Sequence, residues 1–131
     1  MKILRFTTIV LLFAGMLACQ SRPAGQPASD SGELNRNPAK ISYSKHARCR
    51  MECRNIDEKE VADLLHHGYI NYKKSNLKAD DCHKRYALEG YENGEKLRII
   101  VASCGNETSV ITCIDLDHDW PCHCPGDERH H

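Results

Sequence analysis

The hydrophobic and polar positions of residues 44–54 follow the spacing of a short helix. Ser42 or Ser44 is suited to cap its start, and Asn55 is suited to end it. At about 100° per residue, one broad face of this helix collects chemically reactive side chains together with small apolar ones. These are His46, Ala47, Cys49, Arg50, Met51, Cys53 and Arg54. A helix with such a face either forms a site or is fixed to its own protein by disulfides.

A second short helix is predicted to follow directly. Asp57 is placed to cap its start, and Glu60, three residues later, completes a capping box. The apolar stripe that packs such a helix onto a core comes from Val61, Leu64 and Leu65. Gly68 stands at the position where many helices end in a left-handed residue.

The chain after residue 68 has the alternation and composition of strands. Four segments are predicted to be strands: residues 69–72, 85–91, 97–103 and 109–114. Turn-forming residues at 92–95 and 105–107 separate the last three. The pattern predicts an α+β domain in which two short helices precede a four-stranded antiparallel meander.

The first of these turns also predicts one disulfide. If the turn is symmetric about Asn93, Gly90 lies opposite Lys96, and the continued ladder places Cys82 opposite Cys104. Directly opposed residues of antiparallel strands have Cα atoms roughly 4.5–5.5 Å apart, which suits a disulfide. We therefore predict a Cys82–Cys104 bridge, which stabilises the fold by about 3 kcal/mol if loop entropy is its main effect.

The start of the chain has the pattern of an export signal. Two basic residues precede an apolar run at residues 6–17, and Ala18 then precedes Cys19. The run is too short for a comfortable membrane span. Residues 16–19 resemble the lipobox of bacterial lipoproteins, which implies cleavage after residue 18 and a lipid anchor on Cys19; an ordinary cleaved signal is the alternative. The residue after the cysteine is not Asp, which in lipoprotein sorting implies the outer membrane.

Composition divides the remainder of the chain into three parts. Residues 19–40 are rich in Pro, Gly, Ser and Asn and are predicted to be a flexible tether. Residues 41–124 form the predicted domain, and residues 125–131 a His-rich tail. Removal of residues 1–18 leaves a net charge of −2 with neutral histidines, so no overall field favours nucleic acid as a partner.

The cysteine content indicates covalent support for a small exported domain. Seven of the eight cysteines follow the lipobox, and a domain of this size is marginal without staples. Cys49 and Cys53 lie about 6 Å apart along a helix, and Cys122 and Cys124 lie about 6.6 Å apart in an extended segment. The matching spacings predict two disulfides between tail and first helix, with the pairing left open. Cys113 then remains unpaired as a small buried residue.

Several residues resemble the opening signature of the domain of unknown function (DUF) 4258 family. They are Ser44-Lys45-His46-Ala47, Arg50-Met51, Arg54-Asn55-Ile56, Glu60-Val61, Leu65 and Gly68. The resemblance extends over about residues 41–115, and the cysteines look like those of a lipoprotein subgroup. It implies a fold similar to small RelE-like toxin ribonucleases, and it makes His46, Arg50 and Arg54 the polar residues of the motif.

The first functional hypothesis is a non-enzymatic binding or structural module at the cell envelope. It explains the anchor, the tether and the cysteines together, with the membrane and an unidentified protein as partners and without a cofactor. Under this hypothesis the polar trio is structural. Buried arginines need acidic partners, and we expect Arg50 and Arg54 to pair with Glu89, Asp115 or Asp117.

The second hypothesis is a metal-independent ribonuclease. His46 would act as the base toward the 2′-hydroxyl, and Arg50 and Arg54 would clamp the phosphate. The near-neutral charge and the predicted outer-membrane address speak against RNA as a substrate.

The third hypothesis is a zinc-binding lipoprotein. Its candidate ligands are Cys49, Cys53, Cys122 and Cys124, with further imidazoles nearby in the C-terminal sequence. A Cys-x₃-Cys spacing fits zinc, whereas Cys122-His123-Cys124 is tighter than the common ligand loop. Oxidation of the thiols in an exported protein would remove these ligands.

Overall fold

The computed structural model describes residues 33–127 of the chain. Five strands form one sheet, and two helices pack on it as a second layer. In chain order they are β1 (Lys40–Tyr43), α1 (Lys45–Arg54), α2 (Glu58–His67), β2 (Tyr69–Ile70), β3 (Tyr86–Glu92), β4 (Glu95–Cys104) and β5 (Glu107–Asp115). A short 3₁₀ turn at Asp81–His83 precedes β3. The predicted export segment, Cys19 and the last two histidines lie outside the described residues.

The sheet has five strands in the order β1-β5-β4-β3-β2, so the prediction of a four-stranded antiparallel meander is wrong. β2 to β5 do pair antiparallel in sequence order. The additional strand, β1, lies parallel to β5, with Ile41 opposite Thr108. Its four residues give too short an alternation to be recognised, and its partner follows more than 60 residues later.

The local signals predicted at both ends of α1 and at the start of α2 are confirmed. The Ala47 N–H donates to Ser44 Oγ at 2.9 Å, and Asn55 ends α1 in the left-handed region with φ 55°. Asp57 and Glu60 form the reciprocal capping box at the start of α2. Each of these contacts joins residues no more than four positions apart, which makes them readable from sequence.

Gly68 does not have the left-handed conformation predicted for it, since its φ is −60°. A Cβ added at this position would lie 2.5 Å from the Leu64 carbonyl oxygen and 3.1 Å from that of Glu89. Glycine is therefore needed here for the close approach of α2 to β3, and not for a left-handed turn.

The core lies between the two helices and one face of the sheet. α1 packs mainly on β5, and α2 packs mainly on β3. Beneath them, the cross-strand neighbours Leu88, Ile99 and Cys113 are fully buried. Cys113 is the free cysteine of the described residues, as predicted. Residues of both helices and all three of these strands belong to one hydrophobic cluster.

Residues that precede β1 also contact the domain. Leu34 is 8% exposed and belongs to the hydrophobic cluster. The Arg36 guanidinium donates through Nη1 to the carbonyl oxygens of Leu65 at 3.1 Å and Gly68 at 2.8 Å. Arg36 thus satisfies one carbonyl group in the last turn of α2 and that of the cap residue Gly68, since such groups have no partner within the helix.

The β3–β4 hairpin corrects the predicted strand register. Its loop has two residues, Asn93 and Gly94, with φ of 49° and 86°, so that Gly90 lies opposite Leu97 and not Lys96. Two successive positive φ angles are typical of the Asn-Gly hairpin loop, which is one residue shorter than the symmetric turn that we assumed.

The Cys82–Cys104 disulfide is present although the register used to predict it is wrong. The two Cα atoms are 4.6 Å apart. Cys82 lies in the 3₁₀ turn before β3 and is not part of the ladder, so this turn brings it back to the end of β4. The bridge therefore fixes the connection between β2 and β3 to the sheet.

Candidate functional site

The tail is held across α1 by the other two disulfides. Cys49 is bonded to Cys124 and Cys53 to Cys122, with Cα atoms 5.7 Å and 6.0 Å apart. The two staples predicted from matching spacings are confirmed, and their order shows that the tail runs antiparallel to α1. The polar face of α1 therefore lies against the C-terminal tail of the chain.

His46 contacts the turn that follows the second staple. Its Nδ1 lies 2.8 Å from the Pro125 carbonyl oxygen and 3.8 Å from Asp127 Oδ1. A carbonyl oxygen only accepts hydrogen bonds, so this contact requires the hydrogen on Nδ1. In the neutral ring, Nε2 is then the nitrogen that accepts a proton.

Arg50 and Asp127 form the central ion pair of this face. Arg50 Nη2 donates to Asp127 Oδ1, with both side chains partly buried. The other carboxylate oxygen, Oδ2, accepts from the Cys124 N–H at 2.8 Å. The Cys124 N–H, with a smaller contribution from Arg50, holds the pKa of Asp127 below its ordinary value. Both oxygens of this carboxylate are thus engaged.

Arg54 is the least satisfied member of the trio. Its Nη1 donates to the Cys113 carbonyl oxygen, whereas its buried Nε–H has no hydrogen-bond partner within residues 33–127. Burial, and after it the positive charge of Arg50, lowers the pKa of Arg54 from its ordinary value. Burial also raises the pKa of the neighbouring Cys113 thiol to about 12, so this thiol is neutral and provides no counter-charge.

The structure thus brings His46, Arg50 and Arg54 together, as predicted, but with other partners. The expected hydrogen-bonded ion pairs of the arginines with Glu89, Asp115 or Asp117 do not form within residues 33–127, and Asp115 acts on Arg54 only through its charge. Asp127 and a backbone carbonyl take those roles. Chemically, the arrangement is a cationic face of α1 on which one carboxylate of the tail is bound.

Glu89 belongs to a separate polar cluster on the opposite face of the sheet. It is 2% exposed and accepts from Tyr69 Oη at 2.5 Å, Asn71 Nδ2 at 2.8 Å and Arg98 Nε at 2.6 Å. Burial alone would raise the pKa of Glu89, but the three donors outweigh it and lower the pKa to about 2. Sequence reasoning missed this cluster because the register error hid that Glu89 lies directly opposite Arg98.

Asp115 anchors the start of the tail. Its Oδ2 accepts from Trp120 Nε1 at 2.8 Å, and its Oδ1 accepts from the backbone N–H groups of Asp117 and His118. Burial opposes ionisation, but these donors dominate together and lower the pKa of Asp115 to about 2. The tail is therefore attached at its base by a carboxylate and further along by the two disulfides.

One group of side chains in residues 33–127 has the spacing to hold a metal ion, and it contains none of the cysteines. Ligand atoms of Glu95, Asp115 and His118 lie within 4.8 Å of one another. Asp115 already accepts the four hydrogen bonds of its tail-anchoring role, including one from His118 Nδ1 at 3.1 Å. The four cysteines of the zinc hypothesis are disulfide-bonded.

Fold and site together define an α+β domain with three disulfides, two of which fix its tail. A family model, Domain of unknown function (DUF4258), matches residues 43–115, which is more than half of the chain, so the chain belongs to this family. Comparisons with curated proteins and with solved structures found no match. The similarity to RelE-like toxins stays a prediction.

The limits of the family match separate two parts of the site. The matched range begins just before α1 and contains His46, Arg50 and Arg54. It ends at Asp115, before the tail cysteines and Asp127. The cationic face is thus within the family unit, and the segment that contacts it lies beyond. No helix within residues 33–127 has both the length and the apolar character required to cross a membrane.

Proposed function

We propose that this DUF4258 domain is a non-enzymatic binding module of the cell envelope, exported and held at the outer membrane by a lipid on Cys19. The observation that carries the proposal is that all six cysteines other than Cys113 in residues 33–127 are paired in disulfides. Disulfides form and persist in oxidising compartments and are rare in reducing ones. The lipobox-like sequence at residues 16–19 supplies the proposed anchor.

The contacts of the polar trio support a binding role over a catalytic one. Arg50 is paired with Asp127, and Pro125 and Asp127 face His46. A ribonuclease of the proposed kind needs both groups free to meet a phosphodiester. The disulfides likewise support a role without structural zinc, because zinc binds thiolates and not disulfide sulfur.

The location is tested by expressing the full chain in a bacterium with two membranes, beside a Cys19→Ala variant. We expect the unchanged chain to carry a labelled fatty acid and to fractionate with the outer membrane. The variant is expected to lack the label and to be released with the soluble envelope proteins. Recovery of the unchanged chain from the cytosol, or identical fractionation of both chains, would contradict the proposal.

One observation favours the ribonuclease as a second candidate. The hydrogen bond from His46 Nδ1 to a carbonyl oxygen leaves Nε2 as the proton acceptor, which is the arrangement a general base requires. Labelled RNA incubated with the Cys19→Ala chain and with a His46→Ala derivative decides between the two functions. We expect no cleavage, or equal trace cleavage by both. Cleavage that disappears with His46 would replace the binding module by an enzyme.

The zinc alternative is tested on the same purified chain. A denatured Cys19→Ala chain is expected to contain one reactive thiol, that of Cys113, and no stoichiometric zinc. Several thiols that become reactive only after removal of one equivalent of zinc would favour metal binding through the cysteines.

A further inference from the structure

We propose that His46, Arg50 and Arg54 form an oxyanion-binding site whose present occupant is the Asp127 carboxylate, and that an external phosphate group displaces this carboxylate. The inference rests on the proposed function as a binding module, and it names the chemical class of the ligand. It concerns the α1 face and the turn at residues 124–127.

The bound carboxylate shows what the cationic face selects. Asp127 Oδ1 receives the Arg50 Nη2 hydrogen bond and lies 3.8 Å from His46 Nδ1. An arginine of α1 therefore binds this anionic oxygen, and the His46 ring, whose Nδ1–H donates to the Pro125 carbonyl oxygen, lies beside it. Arginine is the side chain that most often binds carboxylate and phosphate groups, because its planar guanidinium presents parallel N–H donors.

Arg54 lies close enough to Arg50 and Asp127 to be affected by their charges, but it makes no hydrogen bond to the carboxylate within residues 33–127. The Arg54 guanidinium has five N–H donors, its Nε–H is buried, and no acceptor for this hydrogen lies within residues 33–127. Asp127 does not supply this acceptor, since its hydrogen bonds within the described residues come from Arg50 at Oδ1 and from the Cys124 N–H at Oδ2. Buried donors are normally paired, so this N–H is the donor that we assign to an oxygen of the external ligand.

A phosphate group has the additional oxygens that the carboxylate lacks. A phosphate monoester has three terminal oxygens and carries close to two negative charges at neutral pH, against two oxygens and one charge for a carboxylate. The two arginines match this charge and supply several N–H donors for the larger number of acceptors, and His46 adds one donor once the Pro125 carbonyl is displaced with the tail. Phosphate is therefore the class of oxyanion that we assign to the site.

The disulfides explain why the internal carboxylate occupies the site. Cys124 is bonded to Cys49 of α1, and Asp127 follows only three residues later. The turn between them is closed by the Asp127 N–H to the Cys124 carbonyl at 3.1 Å, with Gly126 at φ 96°. A group tethered this closely competes at a high effective concentration, so an external ligand binds weakly until the tail is displaced.

The test compares phosphate binding by the Cys19→Ala chain before and after the change Asp127→Asn. The amide retains an oxygen that accepts from the Cys124 N–H but loses the negative charge. We expect the variant to bind inorganic phosphate at least about tenfold more tightly than the parent in calorimetric titration, equivalent to about 1.4 kcal/mol. Adding Arg50→Gln is expected to abolish this gain.

A matched control removes an exposed acid elsewhere in the tail. Asp119→Asn changes the net charge by the same amount and is expected to leave phosphate affinity unchanged. The Arg54 Nε–H resonance provides a second readout, because it is expected to shift when phosphate binds to the Asp127→Asn variant. A gain that is equally large in Asp119→Asn would reflect net charge alone and would overturn the site.

The remaining outcomes also decide the question. No gain in Asp127→Asn, a gain that survives Arg50→Gln, or an equal gain for acetate would each overturn the phosphate assignment. If Asp127→Asn loses its disulfides, Asp127→Ser, whose hydroxyl also accepts from the Cys124 N–H, is judged by the same criteria. RNA cleavage that depends on His46 would refute the proposed function while the phosphate titration remains interpretable, so the two failures are distinguishable.

Discussion

The two helices have the same length and lie in the same layer, but they are held in different ways. α2 buries Val61, Leu64 and Leu65, none of them more than 1% exposed. α1 buries only Ala47 and Met51, and it depends in addition on two disulfides to the tail. The inner face of α2 is therefore occupied by apolar side chains. The disulfides hold α1 in place, so its inner face can contain charged groups.

The difference matters for function because a helix face cannot be both an apolar core surface and a cluster of cations. Burying arginines without partners is unfavourable. A helix that is held only by apolar contacts can therefore have few charged residues on its inner face. In α1, sulfur bonds take over part of the stabilisation, and His46, Arg50 and Arg54 are kept within reach of one carboxylate. The predictions below test this division of labour between the helices.

The largest effect is expected from removing both staples by Cys122→Ser with Cys124→Ser. The cross-linked residues are separated by 75 and 69 positions, and because the two loops are nested, removing both should cost about as much as opening one long loop. We expect the free energy of unfolding in urea to fall by about 4 kcal/mol. Cys113→Ala, which removes a cysteine without removing a disulfide, is the control. If the double variant lost less unfolding free energy than the control, α1 would not depend on the two disulfides.

The next effect in size is expected from Leu64→Ala in α2. This side chain is 1% exposed and lies against β3, where a Cβ added at Gly90 would be 2.8 Å from Leu64 Cδ2. The cavity should lower the free energy of unfolding by about 3 kcal/mol while all three disulfides remain intact. Leu116→Ala, at a half-buried position after β5, should have a clearly smaller effect. Equal losses in urea unfolding would refute the apolar account of α2.

Acid is expected to lower the free energy of unfolding through two buried carboxylates, one at the base of the tail and one on β3. The pKa values of Asp115, at the base of the tail, and Glu89, on β3, are lowered to about 2 from 3.8 and 4.5. A lowered folded-state pKa gives stability that is present above the unfolded-state value and is lost as pH falls through the folded-state value. We therefore expect unfolding free energy to decrease from about pH 5 to pH 2, by about 2 kcal/mol for each group.

Single amide variants separate the two contributions to this acid dependence. Asp115→Asn should flatten the profile and increase hydrogen exchange in the tail, whereas Glu89→Gln should flatten it without affecting the tail. Stability curves from pH 2 to 7 measure both effects. A slope unchanged by either variant would show that neither carboxylate is responsible.

The smallest effect is expected at the C-terminus of α2. Arg36→Ala removes the hydrogen bonds to the Leu65 and Gly68 carbonyl oxygens. It should lower the free energy of unfolding by about 1 kcal/mol, measured by thermal melting. Lys40→Ala, which removes an exposed ion pair with Glu107, is the matched control and should change the free energy of unfolding much less. If both variants melt alike, Arg36 does not cap the helix.

The features that could be predicted from the sequence are those formed by residues close together in the chain. The Ser44 cap and the Asp57–Glu60 capping box each involve residues a few positions apart, and short motifs indicate them. The turn at Asn93 and Gly94 was predicted in its place but not in its length, so the strand register was wrong. The Cys82–Cys104 pair was also predicted, but its geometry comes from a 3₁₀ turn and not from the assumed ladder. The correct answer there did not depend on the correct register.

What could not be predicted depends on contacts between distant parts of the chain. Asp127 meets Arg50 across 77 positions, and no periodicity in either segment indicates the pairing. β1 was missed for the same reason, because a four-residue edge strand is recognisable only beside β5. The cationic face was predicted from helical geometry, but its occupant was not.

The account depends most directly on which cysteines are bonded, and peptide mapping without reduction measures this. Trypsin separates Cys49 from Cys53 by cutting after Arg50, and tandem mass spectrometry distinguishes Cys122 from Cys124. The expected links are Cys49–Cys124, Cys53–Cys122 and Cys82–Cys104, with Cys113 as a thiol. A tail cysteine that is free, or bonded to any residue outside α1, would contradict the claim that sulfur bonds hold the tail on this helix.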